Sequence, residues 1–212
     1  MQVPNANAGK STLMGHLLVL LGKISNRQIQ KYSHEAELMK KASFQYAWVL
    51  DATDDERSRG VTIDVGVSQF STPKVEYTLL DAPGHKDFIP NMITGASQAD
   101  VAMLVIDAGP GEFETGFNKG GQTREHCILC KSLGVAQMVV VVNKMDSVDW
   151  DAARFNHIVG DLKPFLLGLG YKVAEFVPAS GFSGENLVVK SSPGLDWYEG
   201  PTLADVLGKL KN

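Results

Sequence analysis

The stretch 138–146, MVVVVNKMD, joins a continuous apolar run to a polar tetrapeptide. A short apolar run of this kind is typical of a strand that is buried on both faces of a parallel sheet. The tetrapeptide supplies Asn143, Lys144 and Asp146 at the end of that strand, where a purine edge can lie against one carboxylate. Guanine offers the carboxylate two donors, N1–H and the exocyclic amine, whereas adenine would leave the buried acceptor unpaired. The stretch therefore predicts a guanine-binding site at the end of a buried strand.

Short apolar runs alternate with longer amphipathic stretches along the chain, which is the pattern of βα units around a mostly parallel sheet. The predicted strands are 62–70, 75–80, 101–107, 138–142 and 175–178. The predicted helices are 11–21, 90–96, 122–133, 151–169 and 203–210. The short link 71–74 indicates an antiparallel hairpin between the first two strands, while 109–121 and 181–201 are predicted to be loops. The sequence thus predicts an α/β fold of three layers, with one antiparallel edge and helices on both faces.

The composition is that of one globular domain, residues 1–212, with 44% hydrophobic and 21% charged residues. The formal net charge of -4 gives no electrostatic footprint for wrapping nucleic acid, so we expect no direct sequence-specific binding to it. No apolar stretch approaches the roughly 20 residues that a membrane span needs, and the N-terminus lacks a signal-peptide pattern. We therefore expect a cytoplasmic protein without a membrane partner.

The chain has two cysteines, Cys127 and Cys130, which form a C-x-x-C pair on the predicted helix 122–133. A single pair without a second Cys or His pair is a poor zinc site, and the neighbouring His126 does not complete one. We expect two reduced thiols, at least one of them packed inward.

A second nucleotide-site element is a phosphate-binding loop that opens a helix: Asn7, Ala8, Gly9, Lys10, Ser11 and Thr12. Backbone N–H groups from Ala8 to Ser11 would converge on a β-phosphate at the helix N-terminus, and Lys10 would supply a point charge. The hydroxyl of Ser11 is placed to bind Mg²⁺. The pattern G-x-x-x-x-G-K-[ST] has a glycine where this chain has Pro4, so the turn into the loop must be made differently.

A third element, Asp81-Ala82-Pro83-Gly84-His85, follows the predicted strand 75–80. A carboxylate at this end of the strand, beside the phosphate loop, can hold Mg²⁺ through a water molecule. Gly84 has no side chain, so its N–H can approach a γ-phosphate closely. His85 stands one residue further on, in a position from which it can orient a water molecule.

A fourth element is the charge-dense segment 54–62, which ends at Thr62. We expect Thr62 to close over Mg²⁺ and the γ-phosphate only when a triphosphate is bound. The small-residue loop 179–181, with Ser180 and Gly181, can present a backbone N–H to guanine O6. The remaining histidines have no partner pattern, and we expect them to be surface or packing residues: His16, His34, His126 and His157.

With these elements in order, the chain resembles the GTP-binding domain of translational GTPases of the eukaryotic elongation factor 1-alpha group. The resemblance runs from about residue 8 to 203 and is carried by AGKST, SFQYAWVLD, DERSRGVTID, LDAPGHKDFIPNMITGASQAD, GEFETGF, GGQTREH, NKMD and SGFSGENL. Three members of the group are candidates, namely the elongation factor, release factor 3 and the ribosome-rescue GTPase that partners Pelota. SGFSGENL looks most like the rescue member.

The resemblance implies a Ras-like G domain of the phosphate-loop NTPase class, followed in the family by β-barrel domains that this chain does not include. It implies that Lys10, Ser11, Thr62 and Asp81 organise Mg²⁺ and GTP, and that Gly84, His85 and Thr62 serve hydrolysis. The loop that ends at Phe182 would complete the nucleotide site. The implied partners are the ribosome, which activates slow hydrolysis, and a Pelota-like factor.

The chain departs from the family at its N-terminus, where the family reads G-H-V-D-A-G-K-S. Asn7 replaces an aspartate that helps bind a monovalent cation in relatives, and Ala6 replaces one of two apolar residues that, with Val61, restrain the histidine. Only residues 1–3 precede Pro4, so a short first strand is expected. Two other functions remain open: a nucleotide-regulated binding module without useful hydrolysis, and a metabolic GTPase subunit.

Overall fold

Strands and helices alternate along the chain, as the apolar periodicity predicts. The computed structural model describes residues 2–3, 8–39, 42–50, 56–57, 62–72, 75–83 and 88–210. The strands are β1 Gln2–Val3, β2 Gly66–Ser71, β3 Glu76–Asp81, β4 Val101–Asp107, β5 Gln137–Asn143 and β6 Lys172–Pro178. The helices are α1 Lys10–Leu20, α2 Asn26–Leu38, α3 Ile89–Ala96, α4 Glu112–Phe117, α5 Gln122–Ser132, α6 Ala152–Gly168 and α7 Leu203–Leu207. Short 3-10 helices occupy Ala42–Phe44, Ala47–Val49, Met145–Val148 and Pro193–Leu195.

Alternate residues of the two central strands, β4 and β5, face two different cores. The residues that pack with helices α3, α5 and α6 are Ala102, Leu104, Ile106, Met138, Val140 and Val142. The residues that pack with α1, α7 and the β2–β3 hairpin are Met103, Val105, Val139 and Val141. Because both faces are buried, these strands read as continuous apolar runs. The three-layer α/β architecture expected from the sequence is confirmed.

Strands β1, β4, β5 and β6 form one parallel sheet in that order, and β2 and β3 pair as an antiparallel hairpin. The antiparallel pairing was expected, but the described hairpin forms a sheet of its own and not an edge of the parallel sheet. The described part of β1 is two residues long, and both residues pair with β4. The hairpin instead joins the molecule through the core that Phe70 and Leu79 share with β4 and β5.

Two helices of the structure were not predicted. Helix α4 lies inside the stretch 109–121, where the glycine content suggested a loop. That prediction was wrong over Glu112–Phe117 because Gly111 takes a left-handed conformation just before the helix and Phe113 packs into the core. Helix α2 has a narrow apolar stripe of Ile29, Tyr32 and Ala36, of which only Ala36 is buried, and a capping box between Ser25 and Gln28 starts it.

Both thiols lie where the sequence suggested, on α5. Cys127 and Cys130 are free and buried, and burial raises the pKa of both, that of Cys130 to about 12. In the part of the chain that the structure describes, no group of acidic, His and Cys residues could hold a metal ion. Over the same residues, no helix is both long and apolar enough to cross a membrane.

Candidate functional site

Several strands end at the same edge of the molecule, and polar residues stand at those ends. Asp81 ends β3, Asp107 ends β4 and Asn143 ends β5, while Ser180 follows β6. The parallel register brings Asp107 opposite Asn143. This edge is where ligands bind in open α/β sheets.

The phosphate loop leads directly into α1, which begins at Lys10, one residue earlier than predicted. Gly9 has φ +75°, and a Cβ there would lie 3.0 Å from the Nδ2 atom of Asn143. Only glycine therefore fits the turn without strain. Ser11 and Thr12 lie in the first turn of α1, so the amides of this helix start are positioned to bind an anion. Asn7 lies outside the described residues.

Lys10 and Asp81 form the buried charged pair of the site. Burial lowers the pKa of Lys10 to about 8, and the negative charge of Asp81 opposes that shift. Burial raises the pKa of Asp81, which the ammonium of Lys10 counteracts. The nearby hydroxyl of Ser11 also lowers that pKa, although the geometry of the described residues gives neither oxygen of this fully buried carboxylate a regular hydrogen bond. An unpartnered buried carboxylate beside hydroxyl groups suits a hard cation such as Mg²⁺.

Thr62 lies against the phosphate loop, with its Oγ1 atom 3.2 Å from the Oγ atom of Ser11. The residues after Thr62 are held from two sides. The buried carboxylate of Glu56 accepts hydrogen bonds from the N–H groups of Ile63 and Asp64, at 2.9 and 3.3 Å. The amide of Asn91, on α3, donates to the carbonyl of Ile63 at 2.9 Å. The segment that carries Thr62 is thus fixed over the start of α1.

Asn143 ties the phosphate loop to the loop after β6. Its Nδ2 atom donates to the carbonyl of Ala8 at 2.7 Å, and its Oδ1 atom accepts from the N–H of Gly181 at 2.8 Å. All three groups are buried, so both hydrogen bonds are made away from water. Asn143 therefore aligns two loops rather than pointing into solvent.

The other two polar residues of the tetrapeptide sit differently. Lys144 has a left-handed backbone, and its ammonium forms an ion pair of 2.6 Å with Asp107. The same carboxylate accepts from the N–H of Gly109 at 2.8 Å. Asp146 is exposed at the start of the 3-10 helix that follows, where its carboxylate faces outward. This exposure leaves Asp146 accessible to a base.

The loop after β6 is a closed turn. Ser180 is buried, and its hydroxyl accepts from the N–H of Ser183 at 3.1 Å. A Cβ on Gly181 would lie 2.8 Å from the Cα of Leu13, so the loop packs directly on α1. The carbonyl of Gly181 accepts a 2.8 Å hydrogen bond from the Nδ1 atom of His16. The next residue, Phe182, is 59% exposed.

The structure brings together most of the residues that the sequence predicts for the site. They are Ala8, Gly9, Lys10, Ser11, Thr12, Thr62, Asp81, Asn143, Lys144, Asp146, Ser180, Gly181 and Phe182. Asn7, Gly84 and His85 lie outside the described residues, and the roles of all these residues in binding and hydrolysis stay predictions.

Sequence reasoning missed four residues that position this site: His16, Glu56, Asn91 and Asp107. His16 was expected to be a surface or packing residue, and it is indeed buried against Tyr46, but its ring also donates a hydrogen bond to Gly181, 165 positions away. Asp107 had one signal in the sequence, since it ends the strand beside the one that carries Asn143. His16, Glu56 and Asn91 contact the site only through the tertiary structure, and no local sequence pattern indicates those contacts.

A phosphate loop at a helix start, a buried carboxylate at the end of β3 and an Asn-Lys-x-Asp tetrapeptide at the end of β5 define a guanine-nucleotide-binding domain of the phosphate-loop class. The comparison with known families agrees. Residues 3–210 match the elongation factor Tu GTP binding domain family, and the chain belongs to that family.

Similar proteins include several translation factors. The chain is 55% identical to Protein HBS1 of Drosophila melanogaster, a match that covers 99% of this chain and 32% of that protein. It is 51% identical to elongation factor 1-alpha of Ignicoccus hospitalis, over 99% of this chain and 48% of that protein. The S. cerevisiae Ski7 GTPase-like domain, solved with GDP and inorganic phosphate, superposes with a TM-score of 0.85 at 28% identity, over 97% of this chain and 47% of that chain. The chain thus spans less than half of the length of these relatives.

Proposed function

We propose that this chain is the GTP-binding and GTP-hydrolysing switch domain of a cytoplasmic translation factor. The observation that carries the proposal is the contact between Ser11 and Thr62, because the hydroxyl of Ser11 also lies beside the buried carboxylate of Asp81. The ammonium of Lys10 offsets only part of the cost of burying this charge, since burial still raises the pKa of Asp81. A bound cation would offset the rest, and a triphosphate would bind that cation.

The oxygen atoms of Ser11, Thr62 and Asp81 fit Mg²⁺, which prefers hydroxyl, carboxylate and phosphate oxygens. Mg²⁺ would neutralise the charge of the phosphates when bound. The protein itself would bind the phosphates through the backbone N–H groups that begin at Ala8 and through the ammonium of Lys10.

The base would be read by Asp146, whose exposed carboxylate can accept from N1–H and the exocyclic amine of guanine. The N–H of Gly181 already donates to Asn143, so the donor to guanine O6 is proposed to be the next amide, that of Phe182. Asn143 would align this loop with the phosphate loop. Lys144 would line the site, held in place by its ion pair with Asp107.

For hydrolysis, we propose from the family resemblance that Gly84 contacts the γ-phosphate and that His85 orients the attacking water. GTPases of this class turn over at roughly 10⁻⁴ s⁻¹ without an activator, and a supplied catalytic group raises the rate by about 10⁵-fold. The ribosome is the proposed activator. The similarity to Protein HBS1 supports a role in ribosome rescue with a Pelota-like partner, while the similarity to elongation factor 1-alpha supports the alternative of an elongation-type or release-type factor.

The proposal is tested by single-turnover GTP hydrolysis with and without ribosomes, in wild type and in His85→Ala. We expect slow hydrolysis by the chain alone, acceleration by ribosomes, and loss of that acceleration in His85→Ala with GDP affinity unchanged. Tight GDP binding with no hydrolysis under either condition would favour the nucleotide-regulated binding module instead.

A further inference from the structure

The imidazole of His16 lies between two segments that are far apart in sequence. Its ring stacks on the ring of Tyr46, with centroids 3.8 Å apart and planes 6° apart. Its Nδ1 atom bonds to the carbonyl of Gly181 at 2.8 Å, and only 7% of the residue is exposed. One side chain of α1 therefore contacts both the segment 42–50 and the loop 180–184.

Two glycines make this arrangement possible. A Cβ on Gly15 would lie 1.9 Å from the carbonyl oxygen of Tyr46, so the segment 42–50 can pack on α1 only because that side chain is absent. A Cβ on Gly184 would lie 2.7 Å from the Cε1 atom of His16, so the loop 180–184 also closes directly on the ring. The ring therefore lies between the side chain of Tyr46 and the backbone of the loop 180–184.

The chemistry of the ring is fixed by its partners. A carbonyl oxygen can only accept, so the Nδ1 atom of His16 carries the proton and donates it to Gly181. Burial lowers the pKa of His16, and the carbonyl of Gly181 opposes that shift. A neutral ring with a defined tautomer stacks on Tyr46 and holds the loop with one hydrogen bond.

We propose that His16 is a positioning residue that locks the loop 180–184 to the segment 42–50, so that the packing of Tyr46 sets the affinity for the guanine base. The inference deepens the proposed function and rests on it, because the loop 180–184 is the proposed reader of guanine O6.

Two substitutions separate the two contacts of the ring. His16→Phe keeps an aromatic ring on Tyr46 but removes the hydrogen bond to Gly181. His16→Asn keeps an amide N–H near the position of Nδ1 but removes the ring. The matched control is His126→Phe, at the other buried histidine of the described residues, on α5 and outside the site.

The experiment is calorimetric titration of each full-length variant with GDP and with 6-thio-GDP, whose sulfur accepts hydrogen bonds more weakly than O6. We expect His16→Phe to bind GDP about tenfold more weakly, the equivalent of one buried hydrogen bond, and to discriminate less between the two nucleotides. His16→Asn should regain most of the discrimination. His126→Phe should leave both values at those of wild type, whatever its effect on stability.

A double-mutant cycle tests the link to Tyr46. Tyr46→Leu should weaken GDP binding about threefold in wild type and have no further effect in the His16→Asn background, where no ring remains to stack. Equal effects of Tyr46→Leu in both backgrounds, or unchanged discrimination in His16→Phe, would overturn the inference. Failure of wild type itself to bind GDP would overturn the proposed function instead.

Discussion

The hydroxyl oxygens of Ser11 and Thr62 lie 3.2 Å apart, although 51 positions separate the two residues in the chain. Ser11 is fixed by the first turn of α1, whereas Thr62 reaches it because Glu56 and Asn91 hold the backbone of Ile63. Both hydroxyls can therefore bind one cation at the same time. We propose that this is the position in which Thr62 contacts Mg²⁺ beside a triphosphate.

Replacing Thr62 with Ala should affect the triphosphate and spare the diphosphate. The variant loses one oxygen that would contact Mg²⁺ beside the γ-phosphate, so we expect affinity for a non-hydrolysable GTP analogue to fall by about tenfold, or about 1.4 kcal/mol. GDP affinity should change by less than about threefold on the same scale. Calorimetric titration measures both. Thr115→Ala, at an exposed threonine of α4, is the control, and equal losses for the two nucleotides would contradict the assignment.

Asp81→Asn tests the cation site. The carboxylate is fully buried, and the ammonium of Lys10 offsets only part of the cost, because burial still raises the pKa of Asp81. We propose that a bound cation offsets the rest. We expect GDP affinity measured in EDTA to stay within about threefold of wild type, while the gain that Mg²⁺ gives wild type disappears. A variant that keeps the full gain from Mg²⁺ would show that Asp81 holds no cation.

Asn143→Ala should damage both stability and binding. It removes hydrogen bonds to Ala8 and Gly181 and leaves two buried backbone groups unpaired, which costs about 2–4 kcal/mol of unfolding free energy. GDP affinity should fall by about 100-fold, because the two loops lose their alignment. Urea denaturation and titration measure the two effects. Asn118→Ala, at an exposed asparagine, should change neither quantity, and a mild phenotype in Asn143→Ala would refute the bridging role.

Asp107→Asn should act through Lys144. The amide of asparagine can still accept from Gly109, but it cannot neutralise the ammonium that lies 2.6 Å from the carboxylate. We expect GDP affinity to fall by about tenfold, which corresponds to one hydrogen bond to a charged group. In a Lys144→Met background the same substitution should have little further effect. Additive losses in the double variant would mean that Asp107 acts independently of Lys144.

The ion pair between Glu114 and Arg154 gives a pH dependence with a defined sign. The hydrogen bonds from Arg154, at 2.5 and 3.2 Å, lower the pKa of Glu114 from 4.5 to about 2. Because the folded state binds the proton less tightly, the stabilisation is present above pH 4.5 and is lost as pH falls towards 2.

Glu114→Gln should therefore be less stable than wild type by about 1 kcal/mol or less at neutral pH, since the carboxylate is partly exposed. The difference should vanish near pH 2, where wild-type Glu114 is also half protonated or more. Chemical denaturation across this range measures it. Glu112→Gln, in the first turn of the same helix, is the control. A difference that persists unchanged at low pH would rule out the ion pair as its source.

The central strands could be predicted closely because burial on both faces requires apolar residues at nearly every position, which gives a continuous apolar run in the sequence. Strand β4 runs from Val101 to Asp107, as expected, and β5 extends the predicted strand by one residue at each end. Helix α2 was not predicted because most of its residues are polar and exposed, and its apolar period is limited to Ile29, Tyr32 and Ala36.

The sequence was enough to predict which residues belong to the site, but not which hydrogen bonds connect them. The tetrapeptide indicated that Asn143 belongs to a guanine site, whereas its bonds to Ala8 and Gly181 span 135 and 38 positions and depend on the fold. His16 carried no signal at all, because a histidine on an apolar helix face has the same local sequence whether or not it contacts a loop. Long-range contacts of this kind come from packing, which short patterns do not encode.

The most direct test of the account is calorimetric titration of the chain with GDP, a non-hydrolysable GTP analogue and ATP, all in Mg²⁺. The account predicts that both guanine nucleotides bind at micromolar or lower Kd and that ATP gives no signal, because Asp146 and the loop 180–184 accept only guanine. Binding of ATP with similar affinity, or binding of none of the three, would contradict it.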